Sequence, residues 1–267
     1  MSKIIMITGA GSGFGEGAAI GLARRGHIVI ATAQGWPQVT ALRTKADSLG
    51  LSSLRVEKLD LSDRYDVAHA LTWDFDTPVN NAGIGEAGPI AEIPVELVRR
   101  NFEVNVFAPL ELTQHIVKRW IANKHPGKIV FVSSMGGLFS PPGFAAYAAT
   151  KHALEAMAEA MQVELKPFSI QVQTINPGAY LTGFNEAMAE NAFRWLDDTT
   201  HFTTRATMRE IIDALIGSPE GRRDPAELVD RMVDIVSASE GKFRNVVPAS
   251  LEGRLKEHQS AMWDLSI

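Results

Sequence analysis

None of the 267 residues is a cysteine. That absence excludes disulfides, thiolate catalysis and cysteine-held zinc or iron–sulfur centres. The chain also lacks any apolar run near the roughly 18 residues needed to span a bilayer. Long blocks of like charge are missing too. A formal net charge of −5, dispersed along the sequence, gives no footprint for nucleic acid or an anionic membrane. The seven histidines, at 27, 69, 115, 125, 152, 201 and 258, show no ligand spacing, and no metal site is expected. No linker, repeat or composition break divides the chain. The opening MSKIIMITGAG runs directly into a strand and a glycine loop, so no cleavable targeting peptide is expected and a cytoplasmic location follows by default. The rest is ordinary globular material, 45% hydrophobic and 21% charged.

Short apolar runs alternate with helical patterns. KIIMIT (3–8), HIVIATA (27–33), SLRVEKL (53–59), GKIVFVSS (127–134) and SIQVQTINPG (169–178) read as strands, and TPVNNAG (77–83) contains another. Pro78 cannot donate to a sheet ladder, so that strand is predicted to start late. Between 36 and 50, Val39, Leu42, Ala46 and Leu49 mark a helix closed by Gly50. Longer helical stretches cover about 98–123 and 145–166. Asp224-Pro225-Ala226-Glu227 opens a further helix with an acidic cap and a first-turn proline. A short strand (243–248) and a last helix (250–262) follow. Strands apolar on both faces that alternate with helices predict a Rossmann-like α/β fold: a doubly wound parallel sheet in a three-layer α/β/α single domain over 1–267.

Two local patterns carry chemistry. Thr8-Gly9-Ala10-Gly11-Ser12-Gly13-Phe14-Gly15 follows the first strand and opens the first helix, where glycines admit a pyrophosphate to the helix N-terminus. Tyr147 and Lys151 are four residues apart, one helical turn, so a helix stacks the ammonium beside the phenol. A fixed cation there favours phenolate and brings a phenol, with a reference pKa of about 10, toward working range. Ser133 and Ser134 end the strand just upstream.

T-G-x-x-x-G-x-G at 8–15, N-N-A-G at 80–83, Ser134, Y-x-x-x-K at 147–151 and P-G-x-x-x-T at 177–182 occur in one order. The set resembles the short-chain dehydrogenase/reductase family, in its single-domain branch, over about residues 3–250. The resemblance implies a catalytic group of Ser134, Tyr147, Lys151 and Asn105, the last holding a water beside the lysine in a proton relay. It implies that Gly9, Ser12, Gly13, Phe14 and Gly15 form the cofactor loop and that Gln34 lies at the end of the second strand. Asp60 would accept from the adenine amino group, with Leu61 beside it. Asn80 and Ala82 would line the cofactor, with Asn81 and Gly83 structural. Lys151 would also hold the nicotinamide ribose, Pro177 and Gly178 would pass beneath the ring, and Thr182 would bond its carboxamide.

The end of the second strand reads Ala33-Gln34-Gly35-Trp36. Without an acid to bond a ribose 2′-hydroxyl and repel a 2′-phosphate, NADP(H) is expected ahead of NAD(H); Trp36 either packs on the adenine or staples the helix that follows. The family further implies hydride exchange between the nicotinamide and an alcohol or ketone carbon, Tyr147 moving the oxygen's proton. The lining expected from Ile84, Ser140 to Phe144, Tyr180, Leu181, Phe184, Met188, Phe193 and Trp195, with 179–223 as the substrate-covering segment, suggests a small hydrophobic alcohol or ketone as partner. Homodimers or homotetramers are expected by the same analogy. A non-catalytic nicotinamide sensor on this fold is the alternative, and its hallmark, substitution at Ser134, Tyr147 or Lys151, is not present.

Overall fold

Ile5, Ile7, Val130 and Val132 are buried on one side of a sheet, and Met6, Ile129 and Phe131 on the other. That two-residue alternation between two apolar faces requires a covering layer on each side. The computed structural model, which describes residues 2–217 and 221–266, supplies both layers. Its strands are β1 (Ile4–Ile7), β2 (Ile28–Ala33), β3 (Leu54–Lys58), β4 (Thr77–Asn80), β5 (Gly127–Val132), β6 (Ile170–Pro177) and β7 (Arg244–Val247). All pair in parallel, in the order β3-β2-β1-β4-β5-β6-β7. The helices are α1 (Gly13–Arg24), α2 (Trp36–Ser48), α3 (Arg64–Ala70), α4 (Val95–Phe102), α5 (Ala108–Ala122), α6 (Ala145–Glu164), α7 (Phe184–Ala192), α8 (Arg205–Ile216), α9 (Pro225–Ser237) and α10 (Leu251–Ala261). The sheet is Rossmann-like and forms a single domain.

Helices α1, α2 and α9 cover the first face through Leu22, Leu42, Leu228 and Met232. Helices α5 and α6 cover the second through Leu112, Ile116, Trp120, Leu154 and Ala158. Trp73 and Phe75 complete that second face. The Phe75 ring meets Trp120 edge-on at 6.5 Å, with the Arg119 guanidinium over it. The irregular run before β4 is therefore a hydrophobic plug beside the short α3.

Two expectations need correction. Strand β4 does not start late: Thr77 and Pro78 pair with Ile5 and Met6 of β1. The proline is felt only on the other side, where the β5 ladder begins at Val79. Asp76 ties the strand's start, its carboxylate accepting from Ile4 N at 2.8 Å and its carbonyl from Lys128 N at 3.1 Å. The stretch predicted as one helix near 98–123 starts at Val95 and is interrupted by a π-turn over Glu103–Phe107. Pro109 has no N–H for the carbonyl of Asn105, four residues back. The chain widens instead, and Ala108 N–H donates to Glu103 O, five back.

Candidate active site

The order of strands reverses between β1 and β4, and a parallel sheet opens a crevice there at the carboxyl ends of its strands. A cleft of about 730 Å³ lies at that point, within the usual range for small-molecule sites. One wall is the loop from Gly9 to Gly15. Gly9 has φ +67°, and a Cβ there would meet Ala82 Cα at 2.7 Å. A Cβ on Gly15 would lie 2.5 Å from Gly9 O and 2.6 Å from Asn81 Nδ2. The loop can approach β4 only without side chains. Thr8 Oγ1 accepts from Asn81 N and Ala82 N, both at 3.0 Å, and Asn81 Nδ2 donates to Thr8 O and Gly9 O, both at 3.0 Å. Ser12 precedes α1 as its N-cap, yet its hydroxyl caps nothing. The helix N-terminus thus faces the cleft, the arrangement that suits a pyrophosphate.

At one end Ala33, Gln34, Gln38, Asp60 and Leu61 line the wall, and no acid follows β2. Asp60 is already engaged: Oδ1 accepts from Ser62 N and Oγ, and Oδ2 from Gln34 Nε2 at 3.0 Å. Partial burial acts to raise its carboxyl, but the bonds from Ser62 and Gln34 prevail and hold it below the usual range. Trp36 is 58% exposed and does not line the cleft.

At the other end β5 delivers Ser133 and Ser134, and α6 delivers Tyr147 and Lys151. Ser134 Oγ accepts from Gly136 N at 3.0 Å, which caps the short turn Met135–Gly137. The Tyr147 ring stands beside it: a Cβ on Gly136 would lie 3.3 Å from Ser134 Oγ and 3.8 Å from Tyr147 Cε1. Ser133 Oγ is buried with no partner among the described residues. Lys151, 4% exposed, donates to Val132 O at 3.0 Å, with Nζ 5.6 Å from the centroid of the Tyr147 ring. Burial pushes this ammonium down to about 8, and Glu155 pulls the other way. Burial also pushes the Tyr147 phenol above its ordinary value, opposed by the neighbouring Ser134.

A sequence profile for the family described as short chain dehydrogenase matches residues 3–192. This chain belongs to the short-chain dehydrogenase family of NAD(P)-dependent oxidoreductases. It is 33% identical over 242 residues to the uncharacterized oxidoreductase YusZ of Bacillus subtilis, covering 88% of this chain and 85% of that one. It is 35% identical over 191 residues to the uncharacterized oxidoreductase YbbO of Escherichia coli, covering 70% and 69%. The crystal structure of a short-chain dehydrogenase from Streptomyces avermitilis superimposes with a TM-score of 0.78 at 27% identity, covering 99% of this chain and 95% of that one.

In this short-chain dehydrogenase two of the expected site residues lie off the cleft wall. Asn80, the last residue of β4, points at α5, where its Nδ2 donates to Thr113 Oγ1 at 3.3 Å. The next residue, Asn81, turns the opposite way and lines the cleft, as does Gly83. Asn105 is buried behind the wall. Its Oδ1 accepts from Ile84 N at 2.8 Å, and its Nδ2 donates to Ile84 O at 2.8 Å and Thr150 Oγ1 at 3.1 Å. Two of these bonds pin Ile84 and the third reaches α6 at Thr150, and the π-turn sets where the side chain emerges.

Ser12, Gly13, Phe14, Ala82, Pro177, Gly178 and Thr182 line the cleft with the residues above. Sequence reasoning missed Gln38, Arg99, Arg100, Glu103 and Val104. Arg99 and Arg100 sit on α4 outside any motif, and no sequence signal marks them. Of the expected substrate side, Ile84, Tyr180 and Phe184 line the cleft, joined by Asn185. Phe144 and Met188 instead build a third core with Met208 and Ile212, against which Phe193 and Trp195 pack. Leu181 is exposed.

Proposed function

We propose that this dehydrogenase interconverts a hydrophobic secondary alcohol and its ketone. The observation that carries the reading is the meeting of Ser134, Tyr147 and the buried Lys151 at one end of a glycine-lined cleft. A nicotinamide dinucleotide supplies the hydride acceptor or donor when bound. The fit rests on this chain's own features: a glycine loop that reaches β4 only without side chains at Gly9 and Gly15, and an α1 N-terminus open to the cleft. Gly9, Ser12, Gly13, Phe14, Gly15 and Ala82 would hold its diphosphate half, Gln34, Asp60 and Leu61 its adenosine, and Pro177, Gly178 and Thr182 its ring.

In this reading Tyr147 gives its phenolic proton to the ketone oxygen, or takes one from the alcohol. Ser134 donates to the same oxygen and stabilises charge that develops on it. Lys151 stands behind the phenol as the nearby cation and reaches the ribose hydroxyls. Asn105 acts through the backbone of Ile84, and Asn80 through α5; neither is in contact with the reacting atoms. The apolar flank of Ile84, Tyr180 and Phe184 supports a hydrophobic substrate. We read 179–223 as the segment that covers it, with 218–220 outside the described residues.

The absence of an acid after β2, with the uncommitted Ser12 hydroxyl, favours NADP(H) over NAD(H). Phe107 and Val163, exposed on the α5–α6 side, offer apolar surface for a homodimer or homotetramer. No helix among the described residues is long and apolar enough to cross a membrane, and we place the enzyme's work in the cytoplasm. The test follows nicotinamide absorbance across a panel of hydrophobic ketones with NADPH and NADH in parallel. Turnover with NADPH at the lower KM is expected. Tight cofactor binding with no turnover of any ketone would replace this reading with the sensor.

A further inference from the structure

Phe184, the first residue of α7, stands against the Tyr147 phenol. The two ring centroids are 5.6 Å apart and the planes are inclined at 58°. Both side chains line the cleft, and both pack on the third core. On the cleft side the approach to Phe184 is short. Gly183 turns the chain through the left-handed region at φ +79°, and Phe184 N donates to Thr182 Oγ1 at 3.4 Å. The ring therefore follows directly on the stretch of wall that would hold the nicotinamide.

The rest of α7 is seated on the connection between β4 and α4. A Cβ on Gly85 would stand 2.5 Å from Met188 Sδ, and one on Gly88 would stand 2.2 Å from Trp195 Cζ2. Both side chains are let into backbone that carries no side chain of its own. Asn191 Nδ2 donates to Gly85 O at 3.4 Å. Glu92 holds the chain beyond α7, its carboxylate accepting from Phe202 N at 2.7 Å and from Thr203 N at 3.2 Å. The seat is itself fixed at Ile84, whose N and O are both bonded by Asn105. Phe184 cannot swing away from Tyr147 without lifting Met188 and Trp195 out of these places.

A ketone that takes its proton from Tyr147 has its oxygen at the phenol and a substituent on each side of the carbonyl carbon. One of the two must run beside Phe184. A ring packed in a fixed place resists added volume, and one methylene too many in such a pocket is worth roughly 10–200-fold in kcat/KM. We propose that Phe184 is a specificity-determining residue that confines one flank of the ketone to the size of a methyl group, so that the substrates are methyl ketones and the matching 2-alcohols. The inference rests on the alcohol/ketone reading and names the class of molecule that site takes.

The test compares 2-decanone, 3-decanone and 5-decanone, which hold the same atoms with the carbonyl moved inward. Hydrophobicity is constant across the three, and only the smaller flank grows. In the wild-type protein kcat/KM is expected to fall roughly tenfold or more from 2-decanone to 5-decanone. In Phe184→Ala the ratio between the two ketones is expected to shrink to within a few fold. Phe184→Leu should lie between, and it carries the test if melting curves show the alanine variant to be unfolded. Equal use of all three ketones by the wild type overturns the inference and leaves the alcohol/ketone reading intact. Discrimination that survives undiminished in both variants does the same, because the flank is then limited by another wall. No turnover of any ketone, by wild type or variant, sinks the reading and the inference together.

Discussion

Lys151 and Glu155 lie one turn apart on α6, and both are buried. The carboxylate is held from its far side: Asn176 Nδ2 donates to Oε1 at 2.6 Å, and Arg244 Nε to Oε2 at 3.0 Å. Asn176 also donates to Ser134 O at 3.2 Å, so one buried cluster fixes the backbone of the serine and the field at the lysine. Burial drives the Lys151 ammonium down to about 8, and Glu155 opposes it. The other groups around this cluster are Tyr147 on α6, Arg244 on β7 and Glu159, 3.6 Å from the Arg244 guanidinium.

Replacing Glu155 with Gln removes the raising charge and leaves the Arg244 cation with Glu159 as its counter-charge in place of two carboxylates. Both effects lower the pH at which Lys151 loses its proton. The alkaline limb of kcat/KM for ketone reduction is expected to move to lower pH, with a several-fold loss of rate near pH 8. Melting temperature, followed in parallel, separates this from a loss of fold. A limb that stays in place in a folded variant would show that Glu155 does not set the charge on Lys151.

Tyr147→Phe removes the hydroxyl that moves the proton of the reacting oxygen in our reading. Turnover is expected to fall on the order of 10²–10⁴-fold, the usual worth of a positioned acid or base. Cofactor affinity should stay within a few fold, because the substitution leaves the loop from Gly9 to Gly15 untouched. Initial rates and a cofactor titration check both halves, and an active Phe variant would remove Tyr147 from the chemistry.

The parallel sheet and its helical layers were legible because they depend on local period, and Ser134, Tyr147 and Lys151 were marked as one group by their order along the chain. What the sequence hid depends on phase between distant elements. Whether Asn80 or Asn81 faces the cleft turns on where β4 ends, a parity that Pro78 obscured. The use of Asn105 turns on the π-turn, and Pro109 four residues later is its one local signal. Arg99 and Arg100 enter the cleft only because α4 is phased that way. The Glu155–Arg244 pair joins residues 89 positions apart, with nothing in either neighbourhood to announce the other.

Gly15→Ala should weaken the cofactor loop. Its Cβ would stand 2.5 Å from Gly9 O, which cannot retreat while Asn81 Nδ2 holds it. Overpacking of this kind costs about 1–3 kcal/mol, and cofactor affinity is expected to drop roughly tenfold or more. Gly253→Ala is the contrast: it lies within α10 with nothing within 4 Å, and should hold or slightly raise stability, since helix interiors favour alanine by up to about 1 kcal/mol. Melting curves and cofactor fluorescence titrations of the pair discriminate local crowding from a general intolerance of substitution.

Stability should itself depend on pH through Lys128. This β5 side chain is 4% exposed and caps the end of α9, donating to Ile235 O and to Ala238 O. Burial, with Lys3 nearby, lowers its ammonium to about 8 from 10.5. The unfolded chain therefore binds more protons than the folded one between those two values. Stability must rise with pH across that window, and the cost of burying the charge is fully present below it. Lys151 shifts in the same direction and adds to the slope. Urea unfolding at pH 7.5 and 9.5 is expected to show a higher midpoint at the alkaline pH. In Lys128→Met the slope contributed by this group disappears, although the variant starts from lower stability because two carbonyls of α9 lose their donor. An unchanged slope in that variant would mean that Lys128 keeps its ordinary titration in the folded protein, and that the α9 cap is open to water.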